Sequence, residues 1–420
     1  MSSLKPPPLR DDCFALPAGV EWAPVDQALA FLRERLTPQV GVEVVDLKDS
    51  LGRILAEPVI ATRSNPPEAN SAVDGYGFAY ECLGEGDQTL PLVAGRSAAG
   101  VPFYDVVPKG YAVRILTGAA VPEGVNTVIL QEDVTLGEGR IAFRAGIRRG
   151  ANTRRAGEDV MAGVKALETG RKLTPADLAL MAAVGVREVS VRLLLRVAIL
   201  STGDELAEVG ELAKPGQIYD ANRPMLLAML DKFGHVGIDM GRAPDDRGAL
   251  AELLDKAAAQ ADVIITSGGA SAGDEDHVSA LLQDAGAMAL WRIAIKPGRP
   301  LLLGMWREKP VFGLPGNPVA ALVCALIFAR PAMGLLAGEG WAEPQGYDLE
   351  AAFEKRKKPG RREFLRARVR DGKVEVFASE GSGRISGLSW AEGLVELDDS
   401  EQNIRPGDRV RFYPWGSYGL

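Results

Sequence analysis

The chain of 420 residues is poor in the residues that most often bind metals or attack substrates, with only two histidines and three cysteines. The sequence therefore lacks the residues needed for metal sites built from several histidines and for most serine–histidine catalysis. The cysteines Cys13, Cys82 and Cys324 form no closely spaced pair. This spacing excludes a disulfide scaffold and a zinc ribbon.

Several motifs of common enzyme classes are also missing. The sequence has no GxxxxGK(S/T) phosphate loop and no GxGxxG motif after a predicted strand. These absences argue against P-loop NTPases and dinucleotide-binding Rossmann enzymes. A nucleophile elbow and a zinc-protease helix motif are absent as well, so the common hydrolase classes are not indicated.

The sequence shows neither a signal peptide nor a membrane span. Its first residues carry charges and prolines where a signal peptide has an apolar stretch. The longest uncharged run, residues 310–329, is interrupted by Pro315, Gly316 and Pro318, although its second half has the length of a buried core helix. The formal net charge of −8 argues against nucleic acid and anionic membranes as partners. The few cysteines and the missing signal peptide predict a cytoplasmic protein.

The composition is that of a globular protein, with 46% apolar and 25% charged residues. At about 100–200 residues per domain, the length indicates roughly two to four domains. Changes in pattern predict an N-terminal tail at 1–20, a helical elongated domain at 21–60 and 150–192, an inserted small β domain at 61–149, an α/β domain at 193–338 and a C-terminal β-barrel-like domain at 339–420.

Two predicted helices, at residues 24–36 and 173–183, flank the inserted β domain. The first has apolar residues at helical spacing, and the second opens with Thr174, Pro175 and Asp177, the pattern of a capping box. Short apolar stretches between the helices alternate with glycine, proline and aspartate turns, which is typical of strands. The predicted strands are residues 90–94, 111–116, 127–130 and 141–143.

Strand and helix patterns alternate along residues 193–335. This alternation predicts a doubly wound, mostly parallel sheet with helices on both faces. Short strand patterns return after Gly338 and predict the C-terminal β domain. For the α/β domain we predict strands at 193–200, 236–240, 261–266, 290–295 and 310–313, and helices at 222–233, 249–260, 276–285 and 317–336.

Four loops rich in small and hydroxyl residues follow predicted strands, at 201–206, 267–276, 296–300 and 313–318. The carboxyl ends of parallel strands share one sheet edge, so these loops should lie together, where their N–H groups suit an anion. The alternative is that the glycines only allow tight turns. Because four such loops lie at one sheet edge, this alternative is less favoured. The candidate binding residues in these loops are Ser267, Gly268, Gly269, Ser271, Gly273, Arg299, Pro315 and Asn317.

Carboxylates accompany the loops. Glu205 and Asp276 lie just beyond the first two, and Asp245 follows the second strand. Carboxylates beside an anion need a cation between them, and oxygen ligands with few histidines favour Mg²⁺. The alternative for Asp276, as for Asp204, is that the side chain caps a helix.

Positive charge at the same edge comes from Lys296, Arg299 and Arg292, unless these are solvated surface residues. A further stretch, residues 355–370, holds nine basic residues and one acid. Its arginines alternate with Leu365 and other apolar residues, which predicts that the arginines face outward. An anion-facing rim or a solvated strand is favoured over a nucleic-acid surface, because the single aromatic residue Phe364 does not amount to aromatic interleaving.

Taken in chain order, these segments resemble the molybdopterin molybdenumtransferase family, which includes MoeA and the E domain of gephyrin. The resemblance runs from about residue 20 to the C-terminus. The matching segments are NSAVDGY at 70–76, LTGAAVPEG at 116–124, ANTRRAGED at 151–159, STGDEL at 201–206, GQIYDANR at 216–223, TSGGASAGDEDH at 266–277, IKPGRP at 295–300, GLPGNP at 313–318 and GSGRISGL at 381–388.

The resemblance implies a Mg²⁺-dependent enzyme that inserts molybdate into adenylylated molybdopterin and releases AMP. It implies a multidomain α/β plus β fold, with a central α/β domain of the molybdopterin-binding type between helical/β N-terminal domains and a C-terminal β domain. It also implies a homodimer whose site lies between the subunits. Molybdopterin adenylyltransferase and molybdoenzyme chaperones are further expected partners.

By motif match, the resemblance also assigns residues to the site. Across the subunit interface it implies Asp74, Thr117, Arg154 and Asp159, and on the α/β side Glu205, Asp245, Asp276, Arg292 and Lys296. Catalytic roles are expected for Glu205, Asp245, Asp276, Lys296 and Asp74. Mg²⁺ ligands are expected to be Glu205, Asp276 and Asp159.

Two alternatives remain open at this point. A molybdopterin adenylyltransferase uses a similar α/β domain but usually lacks the flanking domains. A gephyrin-like scaffold requires a long apolar groove in the C-terminal domain, which sequence patterns cannot reveal.

Overall fold

The computed structural model of the chain describes residues 22–268, 277–285, 288–291, 293–298 and 301–420. Contacts divide the chain into two compact units. The smaller unit is Val42–Val191, and the larger unit combines the chain up to Gly41 with Arg192–Leu420. The predicted tail at 1–20 lies outside the described residues.

Short strands and one nine-residue helix make up most of the regular structure described in the smaller unit. In chain order, following helix α1 (Val25–Arg35) of the larger unit, they are β1 (Val42–Asp46), β2 (Val59–Ile60), β3 (Asn70–Ser71), β4 (Gly75–Phe78), β5 (Gln88–Ser97), β6 (Ala112–Ile115), β7 (Thr127–Leu130), β8 (Thr135–Gly137), β9 (Arg140–Phe143), β10 (Thr153–Arg154), β11 (Lys165–Leu167), α2 (Pro175–Ala183) and β12 (Glu188–Arg192).

A six-stranded sheet in the order β7-β4-β6-β5-β9-β8 forms the body of this unit. Its core includes Phe78 and Phe143, whose rings stack with centroids 5.2 Å apart. The four strands predicted between residues 90 and 143 are all present, as β5, β6, β7 and β9. Strand β4 was not predicted, because its sequence GYGF has too many glycines to show an alternating apolar pattern.

Helix α2 begins at the predicted capping box. The Thr174 hydroxyl oxygen accepts the Asp177 N–H at 3.3 Å, and the Asp177 carboxylate accepts the Thr174 N–H at 2.9 Å. The helix buries Met181 against Leu55 and Val191 in a second small core. Local sequence therefore determines where α2 starts, and its apolar face determines where it packs.

The larger unit contains an α/β layer followed by C-terminal strands. After α1 its elements are β13 (Arg196–Thr202), β14 (Leu206–Ala207), β15 (Ile218–Tyr219), α3 (Asn222–Phe233), β16 (Val236–Ala243), α4 (Arg247–Gln260), β17 (Val263–Ser267), α5 (His277–Asp284), β18 (Met288–Trp291), β19 (Ile295–Lys296), β20 (Leu302–Trp306), β21 (Lys309–Leu314), α6 (Pro318–Cys324), α7 (Arg330–Ala337), β22 (Tyr347–Ala351), β23 (Lys355–Lys357), β24 (Arg362–Arg370), β25 (Lys373–Val376), α8 (Ser386–Trp390), β26 (Gly393–Leu397), β27 (Gln402–Ile404), β28 (Arg409–Pro414) and α9 (Trp415–Tyr418).

The predicted doubly wound sheet is present, in the order β16-β13-β17-β21-β20-β18. Strands β16, β13, β17 and β21 are parallel, while β20 is antiparallel to both of its neighbours. Helices α4 and α5 contribute to one core with Leu200, Leu254 and Leu282. This sheet confirms the predicted fold class.

Strand β20 was not predicted. It forms a hairpin with β21 through Arg307 and Glu308, which both have positive φ, at 48° and 65°. Tight hairpin turns of this kind usually carry asparagine, aspartate or glycine, so an Arg–Glu pair gives no sequence signal. The predicted strand at 290–295 is divided between β18, in the central sheet, and β19, which pairs elsewhere.

The helical stretch Pro318–Ala337 comprises α6, a π-helical turn at Ala325–Ala329, and α7. By length and composition it is apolar enough to cross a membrane, but 89% of its 18-residue apolar segment is buried inside the fold. No other helix among the described residues is long and apolar enough to cross a membrane. The stretch is the core helix predicted here, and its buried Arg330 pairs with Glu339 at 3.0 Å.

The C-terminal strands close into a small barrel. The pairing runs β24-β25-β22-β28-β26 and returns to β24, with Leu365, Ala367 and Val395 in the core. Strand β19 pairs in parallel register with the first two residues of β24. Helix α1 packs against α7 and lies in the larger unit. The sequence pattern instead groups α1 with the predicted helical domain at 21–60 and 150–192. The finer division into five segments stays a prediction.

Candidate functional site

Three parallel strands of the central sheet end at the same level. Register pairs Ser201 of β13 with Ser267 of β17, and Ser267 with Leu314 of β21. Gly268 follows with a φ of +93°, and a Cβ atom there would lie 2.7 Å from the Thr202 carbonyl oxygen. Only glycine fits this turn without strain, because the backbone is left-handed and passes directly against its neighbour.

Asn222, the first residue of α3, joins two of the predicted loops. Its side-chain N–H group donates to the Ser267 hydroxyl at 2.8 Å and to the Gly316 carbonyl at 2.7 Å. Asn222 is not among the predicted site residues, although it lies in the GQIYDANR segment. Pro315 is buried beside Gly316, while Asn317 is exposed and its side chain makes no cap to α6.

Several buried polar atoms at this edge have no hydrogen-bond partner among the described residues. They are Ser201 Oγ, Thr202 Oγ1, Thr266 Oγ1 and Asn222 Oδ1, all on residues no more than 9% exposed. An unsatisfied buried polar group costs about 1–3 kcal/mol, so such clusters need an explanation in a native fold. A polar ligand or ordered water at the sheet edge would supply the missing partners.

The acids at this edge are held partly by backbone groups. The Asp245 carboxylate accepts the Asp204 N–H at 3.2 Å, and Asp204 accepts the Asp245 N–H at 3.4 Å. The two aspartates thereby tie the ends of β13 and β16 together. Asp246 caps α4 by accepting the Ala249 N–H at 2.7 Å. Glu205 and Asp245 are both exposed at the sheet edge.

Lys296 lies on β19 and pairs in register with Glu363 of β24, so the predicted position directly after a central strand is wrong. Its ammonium group binds the Glu363 carboxylate at 3.3 Å and Glu380 at 2.8 Å. Lys355 also contacts both glutamates. Burial lowers the pKa of Lys296, but the hydrogen bonds and charges of Glu380 and Glu363 outweigh it and raise the pKa, which keeps the group positively charged.

The prediction that the Arg366 side chain faces solvent is also wrong. It is 5% exposed, whereas the alternation in β24 predicts an outward side chain. The guanidinium group donates to the carbonyls of Ser379, Gly381 and Arg384, so the loop covers the outer face of the strand. Exposure rises along the strand, and Arg370 at its end is exposed as expected.

The loop held by Arg366 contains Glu380 and reaches the central domain. The Ser382 carbonyl accepts the N–H of Val319, in the first turn of α6, at 3.2 Å. A cavity of about 250 Å³ lies here, and its walls include Lys296, Lys355, Arg366 and Glu380. The C-terminal barrel therefore contributes a charged pocket beside the start of α6.

Three sequence motifs meet in the smaller unit. The backbone N–H and the hydroxyl of Thr117 both donate to the Asp74 carboxylate at 2.7 Å, and these bonds lower the pKa of Asp74. Strand β10 pairs Arg154 with Asn70 of β3. Asp159 accepts the Asn65 amide at 2.8 Å. The segments at 70–76, 116–124 and 151–159 are thus neighbours, and Arg154 and Asp159 are both exposed.

The remaining predicted site residues lie outside the described residues: Gly269, Ser271, Gly273, Asp276, Arg292 and Arg299. Within the described part of the chain, no group of three or more histidine, cysteine, aspartate or glutamate side chains is placed to hold a metal ion. The described donors therefore do not by themselves form a Mg²⁺ site.

Three family models match the chain in succession. The MoeA N-terminal region (domain I and II) matches residues 23–185, the probable molybdopterin binding domain matches 198–334, and the MoeA C-terminal region (domain IV) matches 348–415. Together they span both compact units and the C-terminal barrel.

Relatives match over nearly the whole length. The molybdopterin molybdenumtransferase of Haemophilus influenzae is 39% identical over 399 residues, covering 93% of this chain and 98% of that protein. The enzyme of the same name from Nostoc sp. is 35% identical, with coverage of 90% and 89%. A molybdopterin biosynthesis MoeA structure from Pyrococcus horikoshii superposes with a TM-score of 0.82 at 28% identity, covering 94% of this chain and all of the other. The chain belongs to the molybdopterin molybdenumtransferase (MoeA) family.

Proposed function

We propose that this chain inserts molybdate into adenylylated molybdopterin and releases AMP, forming the molybdenum cofactor. The observation that supports this function best is the sheet edge with its unpartnered buried oxygens, next to a charged cavity whose walls include Lys296 and Lys355. This arrangement offers hydrogen bonds to a large polar substrate and positive charge to an oxyanion. The dithiolene sulfurs of the pterin bind molybdenum, so no protein cysteine is needed, and buried Cys324 plays no part in the chemistry.

The two parts of the site have different roles in this proposal. The loop that follows Gly268 binds the phosphates, because small residues before a helix suit an anion. Asn222 holds Ser267 and the Gly316 turn together. Lys296, assisted by Lys355, attracts molybdate and offsets its repulsion by the phosphates. Residues Asp74, Thr117, Arg154 and Asp159 act from the smaller unit of the other subunit. The proposed Mg²⁺ ligands are Glu205, Asp276 and Asp159.

The proposal includes a homodimer, because the predicted site residues are divided between the two units of the chain. Light scattering at micromolar concentration should therefore give a mass near twice 44.7 kDa. A single species of 44.7 kDa at all concentrations would contradict the shared site.

Asp74→Asn tests whether the Asp74 charge is used in the reaction. An amide oxygen can still accept both bonds from Thr117, so the melting temperature should stay within a few degrees. Molybdenum insertion should fall at least about tenfold, because the negative charge is lost. The matched control is Asp87→Asn, which changes an exposed aspartate of the same unit and should leave insertion unchanged. Normal insertion by Asp74→Asn would remove Asp74 from the site.

An assay with defined substrates distinguishes the alternatives. A molybdenumtransferase releases AMP from adenylylated molybdopterin only when molybdate is present. An adenylyltransferase instead consumes ATP and molybdopterin, and it is not favoured, since the transferase relatives match over 93% of this chain. A scaffold would show neither activity. Absence of molybdate-dependent AMP release from the purified dimer would refute the proposal.

A further inference from the structure

The cation expected to attract molybdate is already bound by an acid of the same chain. The Glu380 carboxylate lies 2.8 Å from the Lys296 ammonium and also contacts Lys355. It therefore occupies the position between two ammonium groups where the oxygens of a tetrahedral dianion would bind. We propose that Glu380 is an internal competitor that sets the affinity of this pocket for oxyanions, an inference that rests on the proposed function.

The two glutamates of the cluster differ in their freedom to move. Glu363 is on a strand of the barrel, its side chain is 8% exposed, and it binds both lysines at 3.3 Å. The Glu380 side chain is 46% exposed and lies on a loop. Only Glu380 can leave the lysines for solvent without burying an unpaired charge.

The backbone around Glu380 stays fixed when its side chain leaves. Arg366 holds the carbonyls of Ser379 and Gly381 on either side of Glu380. The Ser382 carbonyl is held by Val319. Release of the carboxylate therefore needs only a change of side-chain rotamer, which is fast for exposed groups.

The charges explain why the competition matters. The charges of Lys296, Lys355, Glu363 and Glu380 sum to zero, so these four groups attract a dianion little while Glu380 remains in place. Once Glu380 turns outward, the ammonium groups of Lys296 and Lys355 face the cavity and keep Glu363 as a counter-charge. Glu380 thus favours tetrahedral oxyanions of high negative charge over those of low charge, because only the former can displace its carboxylate from the lysines.

Isothermal titration of the purified full-length chain with molybdate, and separately with inorganic phosphate, tests the inference. Glu380→Gln keeps the shape of the side chain and removes its charge. Molybdate should therefore bind to this variant at least about threefold more tightly than to the wild-type chain. Tighter binding of phosphate instead of molybdate would assign the pocket to a phosphate group of the substrate, with Glu380 still the competitor. The matched control is Glu350→Gln, because Glu350 is 47% exposed and pairs with Lys373 on the same barrel.

The outcomes separate this inference from the proposed function. Unchanged affinity in Glu380→Gln, with binding lost in Lys296→Ala, would overturn the role of Glu380 and leave the oxyanion site intact. Absence of binding in both the unchanged chain and Glu380→Gln would overturn both. If Glu380→Gln does not fold, Glu380→Asp shortens the side chain by one methylene group and should give a smaller gain in affinity; no gain in Glu380→Asp would overturn the inference.

Discussion

Lys296→Ala is expected to reduce molybdenum insertion at least about tenfold, equivalent to about 1.4 kcal/mol of transition-state stabilisation. The change removes the cation that both faces the cavity and pairs with two glutamates. Because a charge that attracts substrate is lost, the KM for molybdate should rise more than kcat falls, and high molybdate should restore part of the rate.

The fold should tolerate this substitution. Glu363, 8% exposed, keeps Lys355 as a partner, so it is not left buried without a counter-charge. We expect a loss of only a few degrees in melting temperature. Lys373→Ala, which removes a half-exposed lysine of the same barrel, is the matched control and should leave both quantities unchanged. A loss of activity in Lys296→Ala that only parallels its loss of stability would show that the lysine is structural.

Gly75→Ala is expected to produce the largest loss of stability, about 3 kcal/mol or more. Gly75 lies in β4 between β6 and β7, and a Cβ atom there would lie 1.9 Å from the Ile129 carbonyl oxygen. The neighbouring atom is backbone, so β4 and β7 must separate and lose ladder hydrogen bonds. The substitution should also displace Asp74 from Thr117, since Asp74 directly precedes the strand.

The control for Gly75→Ala is Gly137→Ala, in β8 at the edge of the same sheet. A Cβ atom at Gly137 meets no atom within 4 Å, so stability should change by less than about 0.5 kcal/mol. Urea unfolding of the two variants, followed by a signal from the smaller unit, gives the comparison. Equal midpoints would show that β4 does not pack against β7 as described.

Features that depend on local pattern were predictable from the sequence. The capping box at Thr174 and the alternation of strands and helices after residue 193 both follow from neighbouring residues. The loops after β13, β17 and β21 were placed at one edge because parallel strands share a direction. Asp74, Thr117 and Arg154 came from motif resemblance, and the structure brings their segments together without testing their roles.

Features that depend on distant pairing were not predictable. Lys296 is placed by a strand 67 residues further along the chain, and nothing near Lys296 indicates that partner. Arg366 has the alternation of an outward residue, but a loop that follows the strand covers it. Asn222 joins two loops that meet only in the folded sheet. In each case the determining contact is tertiary, so local periodicity has no information about it.

In the proposed reaction, this chain couples metal insertion to release of AMP. The most direct measurement is the amount of AMP released and of molybdenum bound to the pterin, when purified protein, adenylylated molybdopterin and molybdate react in single turnover. We expect equal amounts of the two products, with neither formed when molybdate is omitted. AMP release that proceeds equally without molybdate, or no release in its presence, would contradict it.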